Sequence, residues 1–166
     1  MINQSNIRNT ADIILFNDAI DLLCGKKISE GQFRTVFECT LMPGYVVKVE
    51  KDSSSFHNIR EFEIWEAVQH TKHSAAFAQV HMMSSNGRFL VMERTQRPGH
   101  NDWPDKVPAY FTDLKRENFG MSMLPDPKTG KPSNRFVCHD YGCHLLLEKG
   151  MTTALRRVTW SDYNEA

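Results

Sequence analysis

The chain has 166 residues, with 20 basic and 20 acidic side chains and 40% apolar residues, which is enough for about one domain around a single modest core. The balanced charge argues against an electrostatic grip on nucleic acid or on an anionic membrane, because both need a basic surplus on one face. No apolar run approaches membrane-spanning length and the first eight residues, Met1 to Arg8, lack the apolar core of a signal peptide, so the expectation is a soluble, cytoplasmic protein.

Residues 12 to 24 set Ile13, Phe16, Ile20 and Leu23 on one side, widened by Leu15, Ala19 and Leu22, with Asn17, Asp18 and Asp21 facing away. This pattern predicts an amphipathic helix closed by Gly25. Its wide apolar face needs something to cover, and a small sheet is the candidate.

Three strand-like pieces follow, from Lys27 to Ser29, Thr35 to Leu41 and Tyr45 to Glu50, separated by turns at Glu30-Gly31-Gln32 and Met42-Pro-Gly44. Alternation in the third puts Lys48 on the same face as Val46, with Val47 and Val49 opposite. By itself this segment reads as an edge strand whose lysine snorkels to water.

Residues 57 to 70 follow a serine run whose hydroxyls are suited to capping a helix. At about 100° per residue, Phe62, Ile64, Trp65 and Val68 span one face and Glu61 falls inside that arc, while Glu63 and Glu66 point away. A carboxylate in a buried stripe is costly unless a cation meets it. Lys48 is the candidate partner, and the alternative is a rim position from which Glu61 bends to solvent.

Two more strands, Gln79 to Met83 and Arg88 to Glu93, flank the turn Ser84-Ser-Asn-Gly87. The first part therefore predicts a five-stranded antiparallel sheet with one helix inserted after the third strand. Pro98, Gly99, Pro104 and Pro108 then exclude a regular helix of useful length over residues 94 to 111. Trp103, Tyr110 and Phe111 give that stretch something to bury. Phe119 to Leu124 and Arg135 to Cys138 read as a strand pair around residues 125 to 134, and part of the tail from His144 reads as helix.

The chemistry concentrates in Thr112-Asp-Leu-Lys-Arg-Glu-Asn-Phe-Gly120 and Phe136-Val-Cys-His-Asp-Tyr-Gly142. Two carboxylates, a lysine and an amide at fixed offsets suit metal-assisted phosphoryl transfer. Asp113 is then the base, Lys115 the nearby cation, and Asn118 and Asp140 the magnesium ligands. Asp-x-Lys-x-x-Asn is a pattern that chance supplies often, so it needs support from other segments. Cys138-His139 and Cys143-His144 bracket Asp140, but zinc wants closer cysteine pairs plus a second pair at a distance, and Cys24 and Cys39 offer no such spacing. The four scattered cysteines fit a reducing compartment instead.

In this order the segments resemble the protein kinase superfamily, in particular small kinase-like proteins of phages and bacteria. Ile28-Ser-Glu-Gly31-Gln-Phe-Arg-Thr-Val36 is similar to the glycine-rich loop, Val46-Val-Lys48-Val to the strand with the phosphate-binding lysine, and Arg60-Glu61 with its helix to the paired glutamate. Leu90-Val-Met-Glu93 resembles the strand entering the adenine hinge, Asp113-Leu-Lys115-Arg-Glu-Asn118 the catalytic loop, and Asp140-Tyr-Gly142 the metal-binding Asp-Phe-Gly. The glutamate picked by helical geometry is the one this resemblance picks.

The resemblance implies an α+β, kinase-like fold: an N-terminal helical extension over residues 1–26, a five-stranded sheet lobe with one helix over 27–94, and a much reduced C-terminal lobe over 95–166. It implies ATP and Mg2+ as cofactors. Ser29, Gly31, Arg34, Val36, Lys48 and Glu93 would line the nucleotide, Lys48 held by Glu61 would bind the α and β phosphates, and Lys115 would steady the γ phosphate. Of the three loop glycines only Gly31 is present, with Ser29 and Arg34 at the other places, and Phe111-Thr112 replaces the usual His-Arg. About twenty residues separate Glu93 from Asp113, where a full kinase has two helices.

The implied function is a minimal ATP-binding phosphotransferase. The alternatives are an inactive pseudokinase acting as a protein-interaction or inhibitor module, for instance on a host protein, and a pure interaction scaffold. The missing lobe also implies apolar surface for a second copy of the chain to cover.

Overall fold

A computed structural model describes residues 17–52, 54–125, 134–144 and 146–160. It has the expected α+β arrangement of a five-stranded antiparallel sheet with one inserted helix, followed by a second half built mainly of short strands.

The sheet comprises β1 (Cys24–Glu30), β2 (Arg34–Cys39), β3 (Tyr45–Glu50), β4 (Val80–Met83) and β5 (Phe89–Glu93), in the order β1-β2-β3-β5-β4. All neighbours are antiparallel. Residues 17–23 form helix α1, and the earlier part of the helix expected over 12–24 lies outside the described residues. Helix α2 (His57–Val68) crosses between β3 and β4.

β3 is the central strand, which corrects the edge-strand reading of its lysine. Lys48 pairs across to Val36 on one side and Leu90 on the other and is 5% exposed. The side-chain period of two then divides the sheet. Val46, Leu90 and Met92 face α2, whose Ile64, Trp65 and Val68 fill the main core. Cys39, Val47, Val49 and Val91 form a smaller cluster on the other face, covered in part by Ile20 and Leu23.

The serine run does not cap α2, whose N-cap is Phe56 in a left-handed conformation (φ 53°) without a side-chain cap. Glu50 performs that role from β3. Its Oε1 accepts from the Asn58 backbone N–H at 2.7 Å, so a carboxylate sits at the helix N-terminus where free amides and the dipole favour it.

Past residue 94, short strands replace helices. β6 (Thr95–Gln96), β8 (Phe119–Ser122) and β9 (Arg135–Cys138) form a three-stranded sheet, and β7 (Lys106–Pro108) pairs with β10 (Leu155–Arg157). The expected strand pair of β8 and β9 is therefore present, while most of the connection between them, residues 126–133, lies outside the described residues. Among the described residues of this half the one α-helix is α3 (Leu146–Lys149).

Aromatic rings do the packing that long helices would otherwise do. Phe77 stacks on Tyr110 with centroids 5.8 Å apart and meets Phe111 and Tyr141 edge-on at 5.2 and 5.0 Å. Phe119, Phe136, Trp103 and Trp160 form a second group of rings, and Trp160 Nε1 donates to the Pro104 carbonyl at 3.0 Å. The proline-rich stretch is thus ordered, with Tyr110 and Phe111 almost fully buried. Gly120 lets β8 approach β6, because a Cβ there would lie 2.4 Å from Thr95 Oγ1. No helix among the described residues is long and apolar enough to cross a membrane.

Candidate functional site

A cleft of about 820 Å³ lies between the five-stranded sheet and the loops of the second half. Ser29, Gly31, Arg34, Val36, Lys48, Glu93, Asp113, Lys115, Asn118 and Asp140 all line it, and Glu61 lies buried behind it. The structure therefore brings every residue singled out in the sequence to one place.

At the base of the cleft, Lys48 Nζ donates to both Glu61 oxygens at 3.1 and 2.9 Å and to the His139 carbonyl. Glu61 is completely buried, on the apolar arc of α2, so the rim alternative does not hold. Its carboxylate also accepts from the Tyr141 backbone N–H at 3.2 Å. A buried carboxylate with this many donors is stable in its charged form, whereas one deprived of them is costly. Gly142 permits the contact, since a Cβ there would lie 3.2 Å from the His57 carbonyl oxygen and 3.4 Å from Glu61 Cγ.

Arg34 enters the same network from β2 and is 9% exposed. Its guanidinium reaches Glu61 Oε2 at 2.9 Å, Glu61 Oε1 at 3.1 Å, Asp140 Oδ1 at 2.7 Å and Asn58 Oδ1 at 3.4 Å. Burial opposes the guanidinium charge, but Glu61 and then Asp140 outweigh it and keep the group protonated. Burial would likewise raise the Asp140 pKa. Lys48 and then Arg34 overcome that and hold the carboxyl well below the ordinary carboxylate range.

The loop carrying Asp113 is fixed from two sides. Asn118 Nδ2 donates to Asp113 Oδ2 at 2.9 Å and to its carbonyl at 3.2 Å. On the other side His144 Nδ1 accepts from the backbone N–H groups of Thr112 and Asp113 at 3.0 and 3.3 Å. Because Nδ1 accepts, Nε2 carries the ring proton, and it faces Cys138 Sγ at 3.2 Å. His144 is fully buried, and burial lowers its pKa to about 4, in keeping with a neutral ring. Lys115 is exposed, with Nζ 3.7 Å from Asp113 Oδ2.

Glu93 uses its own carboxylate internally, accepting from the Gln79 backbone N–H at 3.0 Å and from the Ser122 hydroxyl. The backbone N–H groups of Glu93 and Arg94 are engaged too, donating to the Gln79 and Gly44 carbonyls at 2.8 Å. Among the described residues no group of three or more His, Cys, Asp or Glu side chains forms a metal cage. The Asn118 amide oxygen and the Asp140 carboxylate are nonetheless the hard donors a magnesium ion takes when phosphate and water complete its shell. With the Asn118 amide nitrogen tied to Asp113, its oxygen is the end left for a cation.

Sequence reasoning missed Asn58, His139 and His144 as parts of this architecture. Asn58 Nδ2 donates to the carbonyls of Lys48 and Gly87, both at 3.1 Å. His139 bridges Thr95 Oγ1 at 2.7 Å and the Glu117 carbonyl at 2.8 Å. None carries a local signal.

No protein-family model matches the chain, and no curated protein matches it. Among solved structures it is similar over 59% of its length to the streptomycin-ATP-APH(2")-IIa ternary complex, with 25% sequence identity and a TM-score of 0.39. The chain covers 31% of that protein.

Proposed function

We propose that the cleft binds a nucleoside triphosphate and that the protein is a minimal phosphotransferase of the kinase-like type. The observation that carries this reading is the buried Lys48–Glu61 pair at 2.9 Å, opening onto the cleft that Asp113, Asn118 and Asp140 also line. A buried ion pair is a poor means of gaining stability, and its place beside a large cleft that several charged side chains line supports a ligand-binding role.

In this reading Lys48, oriented by Glu61, meets the α and β phosphates. Asp113, held by Asn118 and His144, orients an acceptor hydroxyl and takes its proton, and Lys115 neutralises charge at the γ phosphate. Asn118 and Asp140 would hold magnesium, which when bound neutralises developing charge on the phosphate oxygens. Ser29, Gly31 and Val36 cover the nucleotide, with the main chain at Glu93 beside the base.

The experiment is thermal melting with and without Mg-ATP for the parent, Lys48→Ala and Asp140→Ala. A rise in the parent that both variants lose supports the reading, and no rise in the parent overturns it. Incorporation of labelled phosphate then separates transfer from binding. Asp113→Asn abolishes it in an enzyme.

A second reading, an inactive module that recognises another protein, draws on one observation. Beyond residue 94 the described residues include just a four-residue α-helix, so they offer no helical platform for a peptide substrate. Binding without label incorporation in the parent would favour this reading.

A further inference from the structure

We propose that Arg34 withholds Asp140 from divalent cations, so that metal enters this cleft only together with a polyphosphate and never ahead of it. The inference rests on the nucleotide reading for its purpose, but its physical basis is the ion-pair network itself.

Asp140 is the metal-binding candidate with a full charge, and its Oδ1 is engaged by Arg34 Nη2 at 2.7 Å. The guanidinium cannot drift away cheaply, because the same group is held by both oxygens of Glu61 and is 9% exposed. Lys48 meets the same Glu61, its Nζ 2.9 Å from Oε2, and donates to the carbonyl of His139, the residue before Asp140. Two permanent cations therefore balance two carboxylates, Glu61 and Asp140, before any ligand arrives.

A dication placed on Asp140 would share a carboxylate with a guanidinium and meet its repulsion across a few ångströms of partly dry space. Its protein ligands would be one compensated carboxylate and one amide, which is too little charge to dehydrate a hard ion. A polyphosphate changes that balance by bringing several negative charges of its own. Arg34 opens β2 directly after the Gly31 turn, so the cation stands beside a segment that lines the cleft.

Removing the charge should not collapse the network. Without Arg34, Glu61 keeps both Lys48 contacts and the Tyr141 N–H. Asp140, whose side chain is 43% exposed, becomes a carboxylate open to the cleft.

The test uses Mn2+ alone, without nucleotide, titrated against the full chain and followed by water-proton relaxation. Arg34→Gln is expected to bind Mn2+ roughly tenfold or more tightly than the parent. The gain should vanish in the double variant Arg34→Gln/Asp140→Asn, and Arg34→Lys should behave as the parent does. Mn2+ affinity in Arg34→Gln equal to or weaker than the parent's overturns the proposal. If Arg34→Gln does not fold, the parent and Asp140→Asn decide it. Equal Mn2+ uptake upholds the proposal, and a parental site that Asp140→Asn removes overturns it. Failure of the nucleotide reading has a different signature, the absence of any ATP-induced melting shift, and leaves the Mn2+ comparison to be read by itself.

Discussion

The two faces of β3 differ by one residue of register and by the kind of core they build. Val47 and Val49 meet Val91 and Cys39 in an apolar cluster that asks only for volume. One residue along, Lys48 lies between Val36 and Leu90 on the opposite face and requires Glu61 from α2, Arg34 from β2 and the Asp140-Tyr141-Gly142 turn to arrive together. An apolar cluster loses a part and relaxes. A buried charge network that loses its shared carboxylate, Glu61, leaves its cations stranded in a low-dielectric site.

The sharpest way to break that contrast is Glu61→Ala. It strands Lys48 and Arg34 together and should cost about 3–5 kcal/mol in denaturant unfolding. Recovery of stability at higher ionic strength is not expected, since the pair is shielded from solvent.

Acid is the next largest perturbation. The His144 pKa falls from 6.5 in the unfolded chain to about 4 in the fold. Between those values the unfolded state binds more protons, so the stability this group contributes is present above about pH 6.5 and is lost as pH falls toward 4. Full loss amounts to about 3 kcal/mol. His144→Gln should reduce the dependence of melting temperature on pH between 6.5 and 4, with His139, which burial also lowers to about 4, keeping its own share, and an unchanged slope would refute the assignment of a neutral ring to that site.

Val47→Ala, on the apolar face, should cost about 2 kcal/mol through transfer and cavity terms. It should leave any ATP-induced melting shift in place, whereas Lys48→Ala, one residue away, should remove it. Equal effects of the two on the shift would erase the distinction between the faces. At the bottom of the scale, Arg94→Ala breaks an exposed pair with Glu38 at 2.9 Å and should change stability by less than about 1 kcal/mol.

The sheet was legible because its strands carry period-two alternation and turn residues at their ends. The expectations for β3, β4 and β5 fall within a residue of the observed strands. Glu61 was legible for a related reason, as the charged side chain on an otherwise apolar helical arc. Arg34 was visible only as an intruder in a glycine position. That its guanidinium turns inward to two carboxylates depends on Asp140, which is 106 residues away in sequence. The capping of α2 by Glu50 and the support of Asp113 by His144 were hidden for the same reason, since neither pair shares a local pattern.

What the sequence by itself determined is the five strands of the first sheet, the later strand pair of β8 and β9, the inserted helix and the identity of the residues with chemistry to offer, because periodicity and residue type act over a few neighbours; the short β6, β7 and β10 were not foreseen. The tertiary structure decided which charges meet. Lys48 became central and buried through the strand order, and Arg34 bound Asp140 through the return of a distant turn. Pairing of that kind is governed by desolvation and distance across the fold, and neither quantity is written in the order of residues along the chain.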